Sequence, residues 1–182
     1  MVIEPHLLPT QAAYRPGRST IQQILSLRQL IDVAGNHEMP LYALFIDFSA
    51  AFDSVRWDAL EAVLQGWGVP PVLRTAVWAI IRSQRVSLKL KPDPMIDIQQ
   101  GVLQGDTLAP FLFILIVDAV LRQLPEKGIE LTRAVQAAER QSANMQLRPR
   151  MAVAGTILNH LAFADDIVLL AHSVDDARSS WH

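Results

Sequence analysis

Cysteine is absent from the 182 residues, which excludes disulfides and thiolate zinc sites. Lysine is scarce and the formal net charge is -2, so no global basic field marks an electrostatic nucleic-acid binder. A local basic groove stays open, because arginine far outnumbers lysine and its planar fork suits phosphate. The five histidines show no paired metal spacing, and each reads as an isolated core or surface residue. Repeats and low-complexity tracts are missing too. The longest apolar run, LAPFLFILIVDAVL, is too short for a membrane span and contains Asp118. The opening MVIEPHLLPT lacks the basic flank and long apolar stretch of a signal peptide. These absences point to an intracellular protein, nuclear or cytoplasmic, with no membrane partner.

What is present suits one compact domain or part of a larger one. Half the residues are hydrophobic (51%), enough for a core. RPGRST reads as a Gly/Pro turn. Ser19 with Gln22 three residues on then forms a capping-box pattern, and the helix TIQQILSLRQLIDVAGN should end near Gly35. PLYALFIDF is a continuous apolar run that predicts a central strand buried on both faces. Helices follow at Trp57–Gly66 and Val72–Ser83. RVSLKL and MIDIQQ flank KPDP as a small hairpin. GVLQGDTLAP leads into an apolar helix over Leu108–Gln123. Residues 131–148 form a polar, Arg-bearing stretch. RMAVAGTILN, HLAFA and DIVLLAH predict two or three strands, and SVDDARSS the start of a helix.

The acids pose the sharpest question. Asp165 and Asp166 interrupt the apolar run LAFADDIVLLA, and Asp47 ends LYALFIDF. A buried, unpaired carboxylate costs several kcal/mol, so their placement needs an account. Carboxylates grouped at strand ends are hard oxygen ligands suited to Mg²⁺. Two such ions about 4 Å apart activate a hydroxyl and stabilise a leaving pyrophosphate. Successive strand residues face opposite ways, so both Asp165 and Asp166 serve only if they sit in a tight turn. Two other readings compete. Asp-Asp is an ordinary turn signal, and an Asp ending a buried strand is also the nucleophile of phosphohydrolase-type α/β enzymes.

Four stretches, QAAYRPGRSTIQQI, FIDFSAAFDSV, GVLQGDTLAPFLFILIVD and LAFADDIVLL, occur in this order and span roughly residues 10–172. They closely resemble the reverse transcriptase domain of non-LTR (LINE-type) retrotransposons, and more distantly that of group II introns. The resemblance implies an α+β polymerase palm: an antiparallel sheet carrying the three Asp, packed against helices. Residues 1–36 would be part of the fingers and 37–182 a palm core. It implies RNA-directed DNA polymerase activity, a nucleotidyl transfer with two Mg²⁺ ions as cofactors. RNA template, DNA primer and dNTPs would be the partners.

Roles carry over only where the motifs match. Asp47, Asp165 and Asp166 align with the catalytic, metal-binding acids. Phe52 falls where the family stacks an aromatic under the incoming sugar, which would set it beside Asp47; packing in the core is its plainer reading. Gln104 and Gly105 match the loop approaching the template base and the nucleotide. Arg15 and Arg18 would contact the nucleic-acid backbone, or else be exposed turn residues. Asp53 reads as the cap of the following helix, and Asp106 or Thr107 as the cap of the next. Ala50 departs from the family, where many relatives have Lys. No thumb, upstream fingers region or endonuclease is evident, so the chain reads as part of a longer polyprotein. The alternative is a catalytically incompetent remnant with a structural or binding role.

Overall fold

The computed structural model describes residues 4–36, 38–87, 95–125, 128–130 and 157–179. In chain order these form a 3-10 turn (Glu4–His6), helix α1 (Thr20–Asn36), strand β1 (Tyr42–Ile46), helices α2 (Trp57–Gly66) and α3 (Pro71–Arg82), strands β2 (Arg85–Ser87) and β3 (Met95–Asp97), helix α4 (Ala109–Leu121), strands β4 (Ile129–Glu130), β5 (Ile157–Leu158), β6 (His160–Phe163) and β7 (Asp166–Ala171), and helix α5 (Val174–Ser179). The predicted KPDP turn, the 131–148 stretch and most of RMAVAGTILN lie outside the described residues. The chain divides into two compact units, Met1–Asp47 with Val120–His182, and Phe48–Ala119. No described helix is long and apolar enough to cross a membrane.

The first unit holds a sheet of order β1-β7-β6 and a short β4-β5 pair. All three pairings are antiparallel. β7 is the central strand, and its run Ile167–Ala171 is buried throughout, as a strand flanked on both sides should be. Its Val168 and Leu170 join Leu30, Ile129, Leu158 and Leu161 in one apolar cluster, bordered by Leu27 and Leu41. Burying each such side chain contributes about 1.5–3 kcal/mol. α1 packs against β6 and supplies Leu30 and Ala34 to the buried set. Gln22 does not close the expected capping box. Its amide donates to Gly17 O at 3.1 Å instead.

One expectation is overturned here. β1 is not buried on both faces but lies at the sheet edge, with Tyr42, Leu44 and Phe45 exposed, the last to 71%. An unbroken apolar run shows strand-forming tendency, but says nothing of what covers the strand. Position in the sheet decides that, and it is a tertiary property.

In the second unit, α2 and α3 bury Leu60, Leu64 and Ile81. Pro71 opens α3, where a missing N–H costs nothing. Glu61 on α2 accepts hydrogen bonds from the Trp78 indole N–H and the Arg74 guanidinium on α3. Trp57 and Trp78 meet edge to face, with ring centres 6.0 Å apart. β2 and β3 pair as the predicted hairpin. Asp106 caps the α4 start by accepting the Leu108 N–H at 2.9 Å. Asp53 does not cap α2: the residue before it is Arg56, whose side chain makes no capping hydrogen bond, and the Ala59 N–H donates to Asp58 Oδ1 at 2.8 Å.

Candidate functional site

Asp47, Asp165 and Asp166 lie at one end of the first unit's sheet. The β1-β7 ladder ends at the pair Ile46↔Ile167. Asp47 is the next residue on one side and Asp166 the next on the other. Both thus flank the last pair of the ladder, at the same end of the sheet. Asp166 also pairs with Phe163 across β6 and β7. Between them lies a turn of two residues, Ala164 and Asp165. This is the tight turn needed for both acids of the pair to serve. Antiparallel neighbours beside Asp47 also argue against a phosphohydrolase-type parallel sheet, which places its nucleophile among parallel strands.

The turn is conformationally demanding. Ala164 has φ +56°, in the left-handed region that suits the first position of a two-residue hairpin turn but disfavours any side chain. The cost for a non-glycine residue is roughly 1–2 kcal/mol. Something must hold the residue there, and a buried amide does. The Ala164 N–H donates to Gln11 Oε1 at 3.1 Å, and Gln11 Nε2 donates to Ala164 O at 3.4 Å. The Ala13 N–H also donates to Gln11 Oε1, at 3.0 Å.

The segment carrying Gln11 is itself tied to β6. The Ala12 N–H donates to Ala162 O and the Ala162 N–H to Thr10 O, both at 3.0 Å. Gln23 Nε2 reaches Thr10 O at 2.9 Å and Ala162 O at 3.2 Å. Thr10 Oγ1 lies 2.5 Å from His160 Nε2, and His160 Nδ1 lies 2.6 Å from Asn159 Oδ1. An amide oxygen only accepts, so Nδ1 carries the proton there and Nε2 receives the Thr10 hydroxyl. Sequence reading singled out none of Thr10, Gln11, Gln23 or His160. Gln11 and Gln23 stand inside the quoted run QAAYRPGRSTIQQI, but a buried amide has no sequence signature of its own.

Asp47 and Asp166 are exposed and Asp165 is half-buried. Their side chains do not converge into a ready ligand set: among the described residues no group of three or more His, Cys, Asp or Glu is placed to hold a metal ion. What fits a hard divalent cation is the donor chemistry: three carboxylates at one strand end, with no described cationic side chain bridged to them.

The remaining candidate residues have distinct settings. Arg15 is buried and its guanidinium is committed within the chain. It donates to Glu4 Oε1 and Glu4 O, to Leu8 O at 2.7 Å and to Gln11 O at 2.8 Å. That corrects the expectation of a phosphate contact, since its donors are used in holding the N-terminal turns. Arg18 is half-buried and lies 3.5 Å from Pro9 O. In the second unit, Phe52 is half-buried and stacks on Phe113, with ring centres 4.7 Å apart and planes 18° apart. Its backbone accepts the Val102 N–H, which ties it to the loop carrying Gln104 and Gly105. A Cβ on Gly101 would come within 3.0 Å of the Asp53 backbone, so only glycine admits this approach. Gln104 and Gly105 are exposed, and Gly105 has φ +98°.

Comparison with known proteins agrees with this arrangement. Residues 1–181 match the family model described as reverse transcriptase (RNA-dependent DNA polymerase). The chain is 32% identical over 142 residues to the retrovirus-related Pol polyprotein from type-1 retrotransposable element R2 of Nasonia vitripennis, covering 77% of this chain and 12% of that protein. It is 27% identical over 169 residues to the polyprotein from type-2 retrotransposable element R2DM of Drosophila melanogaster, covering 91% of this chain and 14% of that one. It thus spans a small part of the relatives it matches. Apo telomerase from Candida tropicalis, truncated from its C-terminal domain, superposes with a TM-score of 0.58 at 14% identity, over 93% of this chain and 31% of that chain. A second apo telomerase structure from that organism gives 0.57 at 11% identity. These structural likenesses speak for the fold alone, an α+β partial polymerase palm. The chain belongs to the reverse transcriptase family, as a partial domain of the non-LTR retrotransposon type.

Proposed function

We propose that the chain is the catalytic part of an RNA-directed DNA polymerase that works by two-metal nucleotidyl transfer. The observation that supports the reading is the β1-β7 register, whose last pair, Ile46↔Ile167, is flanked by Asp47 and Asp166, with Asp165 in the adjoining turn. Asp47 and Asp165 would hold the two Mg²⁺ ions, with Asp166 assisting. When bound, the ions supply activation of the primer 3′-hydroxyl and charge stabilisation at the α-phosphate and leaving pyrophosphate. The chain's own task is positioning. Phe52 would stack under the incoming sugar, and its ring would exclude a ribose 2′-hydroxyl. Gln104 and Gly105 would approach the template base and nucleotide, where a glycine lets backbone come close. Arg18 would contact the nucleic-acid backbone, as residues of its type do. RNA template, DNA primer and dNTPs are the proposed partners, within a longer polyprotein.

The test is primer extension by a synthesis-competent polyprotein carrying this segment, on a primed RNA template with dNTPs. Extension should require Mg²⁺, stop with a chelator, and stop in Asp165→Asn. Extension that survives the chelator would overturn the reading.

A further inference from the structure

We propose that Gln11 is a positioning residue for the acid-bearing turn: its buried amide holds Ala164 at both polar groups and thereby fixes where Asp165 and Asp166 point. The inference rests on the metal-binding reading of those acids and deepens it. Gln11 is fully buried, at 0% exposure. A fully buried polar side chain persists where its hydrogen bonds are needed. Three such bonds are made here: Oε1 takes the N–H groups of Ala13 and Ala164, and Nε2 donates to Ala164 O. The amide is a matched donor and acceptor for one residue of the opposing turn. Neither a carboxylate, which lacks the donor, nor an apolar side chain, which lacks both, reproduces that pairing.

The geometry explains why this residue matters to the acids. Ala164 precedes Asp165 directly, so a rotation about its backbone bonds swings the Asp165 carboxylate and shifts the start of β7. Ala164 holds φ +56° without being glycine, a conformation that persists only when its surroundings determine it. Gln11 can act as that anchor because its own backbone is fixed. It bridges to Ala162, its N–H reaches Leu8 O at 3.2 Å, and Arg15 Nη1 donates to its carbonyl at 2.8 Å. The N-terminal segment is thereby a brace against the hairpin, and Gln11 is its one side chain hydrogen-bonded to Ala164.

The test separates bracing from general stability. Gln11→Met removes both hydrogen-bonding functions; Gln11→Glu keeps the acceptor and loses the donor. Thr10→Val, in the same segment but without a bond to Ala164, is the control. Two readouts are taken on the 182-residue chain: amide hydrogen exchange at Ala164 and Asp165, and Mn²⁺ affinity by electron paramagnetic resonance. Gln11→Met should speed exchange at Ala164 and weaken Mn²⁺ binding by about tenfold, the scale of losing an outer-shell partner. Gln11→Glu should fall between it and wild type, and remains decisive if Gln11→Met does not fold. Thr10→Val loses its bond to His160 and loosens the same segment, yet should leave Mn²⁺ affinity within about twofold of wild type, below that outer-shell scale. Equal effects from Gln11→Glu and Thr10→Val would overturn the proposal. So would faster exchange with unchanged Mn²⁺ affinity, where Asp165→Asn does abolish that binding. Equal Mn²⁺ affinity in wild type and Asp165→Asn would remove the metal reading itself, and exchange at Ala164 would then decide the brace alone.

Discussion

Two side chains from the sequence reading meet different fates. Arg15 was expected to face a phosphate and is instead buried against Glu4, with their closest contact at 2.9 Å. Removing Arg15 takes the donor from four carbonyl or carboxylate acceptors, of which the Glu4 carboxylate keeps contact with water. Arg15→Ala is therefore expected to destabilise the chain by about 1–3 kcal/mol, the cost of leaving such groups unpaired, measured by urea unfolding. Phe52 is the opposite case. It is half-buried and stacks on Phe113, and the proposed role in sugar selection adds to that packing. Phe52→Val in a competent polyprotein should relax discrimination against ribonucleotides, read as the ratio of kcat/KM for dNTP and rNTP. An unchanged ratio would reduce Phe52 to packing. A sequence shows that an arginine or a phenylalanine stands in a motif. Whether its donors or its face are already in use depends on residues far along the chain, as Glu4 and Phe113 are here.

Elements were more legible than their surroundings. α1, α2, α3, α4, the hairpin strands and the acid-bearing strands all lie where apolar periodicity, Pro and Gly put them. Local signals set them, so local reading finds them. The burial of β1 was misread because edge and centre differ only in what pairs alongside. The α2-α3 contact has no sequence signal for a related reason: Glu61, Arg74 and Trp78 come together only when the two helices pack. The Trp78 indole N–H, with Gln65 and Arg74, holds the Glu61 carboxyl below its ordinary value. A depressed folded-state pKa stabilises the protein above the unfolded value of 4.5, and that contribution fades as pH falls through the folded value. Trp78→Phe removes the largest cause, so Glu61 should titrate higher. The acid-unfolding midpoint should move up in pH, with little change in stability at pH 7 beyond the lost hydrogen bond. A midpoint unmoved by Trp78→Phe would show that the contact carries no electrostatic weight.

At the scale of the molecule, the exposed edge strand and the span of the relatives belong together. β1 presents Tyr42, Leu44 and Phe45 to solvent, and an apolar edge strand is a template for pairing with another chain. The isolated chain is expected to self-associate as concentration rises, and Phe45→Glu should suppress this in sedimentation velocity. It is also expected to extend primers poorly alone, since it covers only 12% and 14% of the R2 polyproteins compared and phosphoryl transfer depends on positioning as much as on metal. The motif order made the family legible from sequence. The register that brings Asp47 and Asp166 to one end of the sheet was not, because pairing partners 121 residues apart, as Ile46 and Ile167 are, leave no local trace. That register carries the central claim, and one measurement meets it directly: single-turnover primer extension by a competent polyprotein, comparing wild type with Asp47→Asn in Mg²⁺. The account predicts that the variant folds, binds primed template and fails to extend it, losing at least about 1,000-fold, or roughly 4 kcal/mol of transition-state stabilisation. Mg²⁺-dependent extension at near wild-type rate by Asp47→Asn would contradict it.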